Sequence, residues 1–159
     1  MANRLAGLGS TVRAVSRRRP LGLVNGVDWL STDLAAVRAA IDAAAGATVV
    51  YQCLNAPYTR WPQLLPPLHR NVLVAAERAG ALLVTLELLA AAEAGRVRMA
   101  IGRASDFFGA AVTESTLGIQ VFGNALAGKR ANFIGNPNLL HTYSYVPDIA
   151  AGLVTLDRG

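Results

Sequence analysis

A chain of 159 residues, 53% of them hydrophobic, is long enough to bury the core of one domain and too apolar to be disordered. No uninterrupted apolar run approaches the ~18 residues of a membrane span, and MANRLAGLGS at residues 1–10 lacks a signal-peptide core, so a cytoplasmic protein is expected. The net charge of +5 raises nucleic acid as a partner, but fourteen of the fifteen basic residues are Arg, mostly scattered singly, and only Arg17-Arg18-Arg19 cluster, without interleaved aromatics. A cluster of that size suits one phosphate group, and nucleic acid is not the expected partner.

Strand-like and helix-like segments alternate along the chain. Residues 11–15 (TVRAV) form a short β-branched run that ends at the basic cluster and Pro20, and residues 26–31 (GVDWLS) make a second. Thr32 or Asp33 can then cap a helix over residues 34–44, because a side-chain oxygen there satisfies free backbone N–H groups. After Gly46, residues 48–54 (TVVYQCL) are a continuous apolar strand of the kind buried on both faces. The stretch NAPYTRWPQ reads as a loop leading into a helix over residues 64–79, stopped by Gly80. Two further strands, 81–87 (ALLVTLE) and 97–102 (VRMAIG), have only nine residues between them. Next come a helix near 115–126, a short strand at 131–134, an extended piece at 142–146 and a last helix from about Pro147.

That alternation predicts an α/β domain with a mostly parallel sheet and helices on both faces. No linker, repeat or low-complexity block divides the chain, so residues 1–159 are expected to form one domain, with a distinct C-terminal part from about residue 105. Cys53 is the only cysteine, which excludes an intrachain disulfide, and its apolar setting predicts a buried packing residue rather than a nucleophile. His69 and His141 have no Cys, Asp or Glu at metal-ligand spacing, so no metal site is expected.

In sheets of this kind ligands sit at the carboxyl ends of the strands, and the residues there carry a resemblance. VRAVSRRR at 12–19, STDL at 31–34, CLNAPYTRWP at 53–62, IGRASDFFG at 101–109 and HTYSYVPDIA at 141–150 occur in order. Together they resemble the NAD-dependent epimerase/dehydratase family, the extended short-chain dehydrogenase/reductases, over nearly the whole chain. The resemblance implies a Rossmann sheet, NAD or NADP as cofactor, and hydride chemistry on nucleotide sugars, sterols or other alcohols and ketones. It makes Ser16, Arg17 and Arg18 the residues beside the adenosine ribose. An Asp or Glu would hold a 2′-hydroxyl there, whereas Arg accommodates a 2′-phosphate and so favours NADP; a plain solvated basic turn is the alternative. Asp33 and Leu34 match the pair that borders the adenine, and Asp33 serves equally well as a helix cap. Asn55-Ala56-Pro57, followed by Tyr58, matches the stretch lining the ribose and nicotinamide, or is a simple Asn-Pro turn. On the substrate side, Phe107-Phe108-Gly109 resembles an aromatic-Gly-Pro corner, with Ala110 in place of the proline. Tyr143, Tyr145 and Asp148 match an aromatic-x-x-x-Asp segment, although Asp148 is explained by the positive start of the last helix.

Two parts of the family pattern have no counterpart in this sequence. Residues 1–9 look like the tail of the helix that follows the family's first strand and its G-x-x-G-x-x-G turn, which would hold the pyrophosphate. The catalytic Tyr-x-x-x-Lys is also absent: four positions beyond Tyr51, Tyr58, Tyr143 and Tyr145 stand Asn55, Pro62, Pro147 and Ile149, and the single lysine is Lys129. The tight link between residues 87 and 97 is where that segment would lie. No catalytic residue is therefore assigned. The expectation is a shortened family member, an incomplete Rossmann-like protein with a partial, weak dinucleotide site, a small-molecule substrate side and no family-type hydride transfer. The alternative is a working oxidoreductase or epimerase using other residues, such as Tyr58 with Arg60, or a partner chain. Without the first strand, residues 11–15 and 48–54 are expected either to pair directly or to leave edges through which the chain self-associates.

Overall fold

The structure, a computed structural model, describes residues 1–159 except 55, 57, 86–97, 103, 104, 111, 113, 114, 116, 132–135, 137, 141 and 157–159. Met1–Gly102 with Gly152–Gly159 form one compact unit, and Arg103–Ala151 form a second.

In the first unit the chain opens with helix α1 (Ala2–Gly7), whose Leu5 is buried. The helix closes on Gly9 at φ 83°; the Gly9 N–H donates to Ala6 O (3.0 Å) and the Ser10 N–H to Leu5 O (3.1 Å), so two end carbonyls are satisfied before the first strand begins. Strands β1 (Val12–Ser16) and β2 (Val27–Ser31) pair in parallel, with Val12 opposite Val27 and Ser16 opposite Ser31. Arg13 faces its register partner Asp28 at 3.5 Å. The same guanidinium donates to Ala43 O (3.0 Å), tying β1 to the end of helix α2 (Val37–Ala44).

A second parallel sheet has the order β3 (Val49–Gln52), β4 (Leu82–Thr85), β5 (Met99–Ile101). Adjacent side chains of a strand point to opposite faces, and Leu83 and Val84 are 0% and 1% exposed, so both faces of β4 are covered. The long helix α3 (Trp61–Ala79) covers the Leu83 side through Val72 and Ala76, with Leu34, Val50, Leu54 and Met99 packed around them. Helix α2 lies against α3 through Ala40, Ala44 and Ala75, small side chains that let two backbones approach closely. Gly80, at φ 63°, ends α3: the Ala81 N–H donates to Ala76 O (3.0 Å) and the Gly80 N–H to Glu77 O (3.1 Å). Gly102 follows β5, and a Cβ there would come within 2.7 Å of Leu153 Cδ2.

In the second unit β6 (Asp106–Phe108) pairs in parallel with β7 (Tyr143–Tyr145). A π-helical turn, Gly118–Gly123, runs into the short α4 (Asn124–Leu126), and β7 passes directly into α5 (Val146–Thr155).

The parallel α/β architecture is as expected, while several boundaries move. Helix α2 begins at Val37 rather than at residue 34, because Asp33 accepts the Ala35 N–H (2.9 Å) and caps a separate turn. Helix α3 begins at Trp61: Pro62 stands in the first turn, where backbone N–H groups have no intrahelical partner. Pro66 and Pro67 give up the bonds that N–H groups there would make four residues back. The strand over 48–54 stops at Gln52, and the helix near 115–126 is represented by the π-helical turn and α4. Strand β6 lies in a segment read as a corner, and the expected strand at 131–134 falls almost wholly outside the described residues, as does most of the link between β4 and β5. Among the described residues β1 pairs only with β2, and β3 only with β4. The expected direct pairing of β1 with β3 is therefore not formed; Arg13 anchors β1 to the helix that precedes β3 instead.

Leu83→Ala is expected to lower the unfolding free energy by about 2–5 kcal/mol, because the side chain is fully enclosed by Val72 and Ala76. Urea denaturation should show a lower midpoint with an unchanged slope; a midpoint like that of the wild type would contradict this account of the core.

Candidate functional site

In the parallel pair β1–β2, the chain leaves both strands on the same side, so the turn after β1 lies beside the residues that end β2. That turn is Arg17-Arg18-Arg19, and β2 braces it through side chains. The Ser16 hydroxyl donates to Arg18 O (2.6 Å) and accepts from Trp29 Nε1–H (3.0 Å). The Ser31 hydroxyl donates to Arg17 O (3.4 Å), and the Thr32 N–H to Ser16 O (3.3 Å). The Arg19 guanidinium carbon sits 6.0 Å from the centre of the Trp29 ring, at the outer limit of a cation–π contact. Ser16, Arg17 and Arg18 line an open cavity of about 580 Å³. Among the described residues no carboxylate pairs with Arg17 or Arg18. Two exposed guanidiniums on successive residues of one turn attract an anion, and their forked N–H donors suit a phosphate.

The other sequence-derived residues separate into groups. Asp33 is exposed and spends one carboxylate oxygen on the Ala35 N–H. Leu34 packs into the α2–α3 core, and Asn71 of α3 fixes the backbone beside it by donating to Leu34 O (2.8 Å) and Ala35 O (2.9 Å). Asn55 and Pro57 lie outside the described residues. Ala56 is half-buried, and its carbonyl accepts the Trp61 Nε1–H at 2.6 Å. Tyr58 opens a 3-10 turn, Tyr58–Arg60, leading into α3.

At the end of β3, Gln52 stands opposite Thr85 in register and is 6% exposed; its Oε1 has no partner among the described residues. Cys53 follows, one position past the end of β3, and the residue as a whole is exposed rather than the buried packing residue expected, although protein closes around its sulfur. That enclosure pushes the thiol pKa up, an effect opposed more weakly by the positive N-terminus.

In the second unit the structure brings together the residues read from the sequence as a substrate side. Phe107 lies opposite Ser144, and Phe108 opposite Tyr145, whose rings are 5.4 Å apart and tilted by 33°. Gly109, at φ 152°, leaves room beside the Tyr145 ring. The Ser105 and Ser144 hydroxyls are 3.2 Å apart, holding β6 and β7 in register beside Tyr143.

The solved structure of MoeE5 in complex with UDP-glucuronic acid and NAD superposes on 99% of this chain and 67% of its own length, with a TM-score of 0.71 and 17% sequence identity. The fold is Rossmann-like. No family model and no curated protein matches the chain. The strands of the first unit lie in two parallel sheets, ordered β1-β2 and β3-β4-β5, and the basic turn follows β1. Sequence reasoning found that turn from its three arginines but missed Trp29 and Ser31, which hold it; the only signal was an indole and a hydroxyl at the end of the neighbouring strand.

The raised thiol pKa of Cys53 lowers its thiolate fraction at neutral pH. Alkylation by iodoacetamide at pH 7.5 should therefore be slower in the native protein than in urea-unfolded chain, with the gap closing as pH rises beyond 9. Mass-spectrometric labelling kinetics measure this, and equal rates at pH 7.5 would contradict it.

Proposed function

We propose that this chain binds a nicotinamide dinucleotide through the turn after β1 and prefers NADP(H) to NAD(H). The observation that carries the proposal is the pair Arg17 and Arg18, unpaired by any described carboxylate and lining a cavity at the end of a parallel strand. An acidic residue in this place would bind a ribose 2′-hydroxyl and repel a 2′-phosphate; arginines do the reverse. The likeness in fold to MoeE5, solved with NAD and UDP-glucuronic acid, supports a dinucleotide as one ligand and a small molecule of the nucleotide-sugar class as the second. The aromatic group on β6 and β7, Phe107, Phe108, Tyr143 and Tyr145, is the proposed substrate side.

The proposal rests on the 2′-phosphate end of the dinucleotide and assigns no residue to its pyrophosphate. Family-type hydride transfer is also absent from it. That chemistry needs an acid/base tuned towards neutrality and within reach of the substrate oxygen, and no Tyr of this sequence has a Lys four residues on. In this proposal the chain acts as an epimerase/dehydratase-like binding protein.

Calorimetry with NADPH and NADH tests the preference. Each charge-assisted pair with a 2′-phosphate contributes about 1.5–3 kcal/mol, so NADPH should bind at least tenfold tighter than NADH. The Arg17→Ala/Arg18→Ala variant should lose that difference while keeping its NADH affinity. Equal affinity of the wild type for the two nucleotides sinks the proposal, and NADPH oxidation with a panel of ketones and nucleotide sugars would overturn its non-catalytic part.

A further inference from the structure

We infer that Trp29 is a positioning residue for phosphate capture, holding the basic turn in its binding form through Ser16; this rests on the 2′-phosphate reading above and deepens it.

Trp29 sits on β2, opposite Ala14 of β1, two residues short of the end of its strand. Its indole N–H is spent on Ser16 Oγ at 3.0 Å, and Ser16 in turn spends its single hydroxyl hydrogen on Arg18 O at 2.6 Å. A serine hydroxyl has one hydrogen to donate. Ser16 therefore has none left for a phosphate oxygen and acts as a relay between the indole and the turn, even though it lines the cavity.

The two bonds fix the carbonyl between Arg18 and Arg19, and Ser31 does the same for the carbonyl of Arg17. A free carbonyl oxygen facing the cavity would repel an anion; here both are occupied by hydroxyl hydrogens. The third arginine is held aside, with Arg19 lying over the face of the same indole at 6.0 Å. One side chain thus holds the turn at two points, leaving Arg17 and Arg18 to the cavity. Chains of hydrogen bonds of this kind act as a unit, so removing either member should have the effect of removing both.

The test uses Trp29→Phe, which keeps a smaller aromatic face for Arg19 and removes the N–H donor, together with Ser16→Ala and the double variant. In the ligand-free proteins, trypsin cleavage after Arg17 and Arg18 reports the order of the turn. In binding, adenosine 2′-monophosphate is titrated against adenosine 5′-monophosphate. Loss of one neutral hydrogen bond corresponds to about two- to tenfold in an equilibrium. Both single variants should therefore be nicked faster and bind the 2′-monophosphate about two- to tenfold more weakly, with 5′-monophosphate affinity unchanged. The double variant should be no worse than either single one. A wild-type preference for the 2′-monophosphate that survives Trp29→Phe, or additive losses in the double variant, overturns the inference alone. A wild type that binds both nucleotides equally overturns the 2′-phosphate reading, and with it the phosphate-capture role.

Discussion

Parallel strands cannot be joined by a two-residue turn; the chain has to cross back over a face of the sheet before the next strand can begin. Every strand pair described in this protein is parallel, and much else follows. The crossover from β3 to β4 supplies α3, and α2, which precedes β3, packs closely on it through an alanine-lined contact. Within each parallel pair, moreover, the exits of the two strands lie side by side. The basic turn after β1 therefore comes within reach of Trp29 and Ser31, residues more than ten positions away in sequence.

The electrostatics of that turn depend on the same neighbours. Three consecutive arginines on a free loop would spread apart, since each guanidinium is well hydrated and like charges repel. Here hydroxyl groups hold the backbone of the turn, and one guanidinium rests on an indole. The entropy of ordering the loop is thus met in the ligand-free protein, which is the usual way a small site gains affinity without further contacts. Arg13, by contrast, faces Asp28 and the end of α2, and its charge serves the packing of the first unit.

Where local rules coincide with burial, the fold was legible in the sequence. The run at β4 is continuous and apolar because that strand is enclosed, whereas the apolar residues of β3 are only half-buried, and Gly80 marks the end of α3 because only a left-handed residue closes that helix without strain. Elsewhere one residue answered to two local rules. Asp33 caps a turn rather than the helix behind it, and WPQ at 61–63 reads as loop although a helix tolerates Pro62 in its first turn. Strand β6 escaped notice because three residues carry no periodicity and its partner β7 lies more than thirty residues on. At the candidate site Arg17 and Arg18 stood out by their charge and their place after a strand. Trp29 did not, since an indole that donates across a strand pair leaves no spacing pattern to read.

The pairing of β1 with β2 alone, and of β3 with β4 alone, leaves each with an edge unmatched among the described residues. The consequence is colloidal. Backbone N–H and C=O groups along an open edge are templates for another chain, and a net charge of +5 opposes the approach of a second copy. That repulsion reaches about 30 Å in 0.01 M salt but only about 8 Å at physiological ionic strength. The protein is best kept dilute and at low ionic strength, because salt that leaves every internal contact intact still lets one open edge find another.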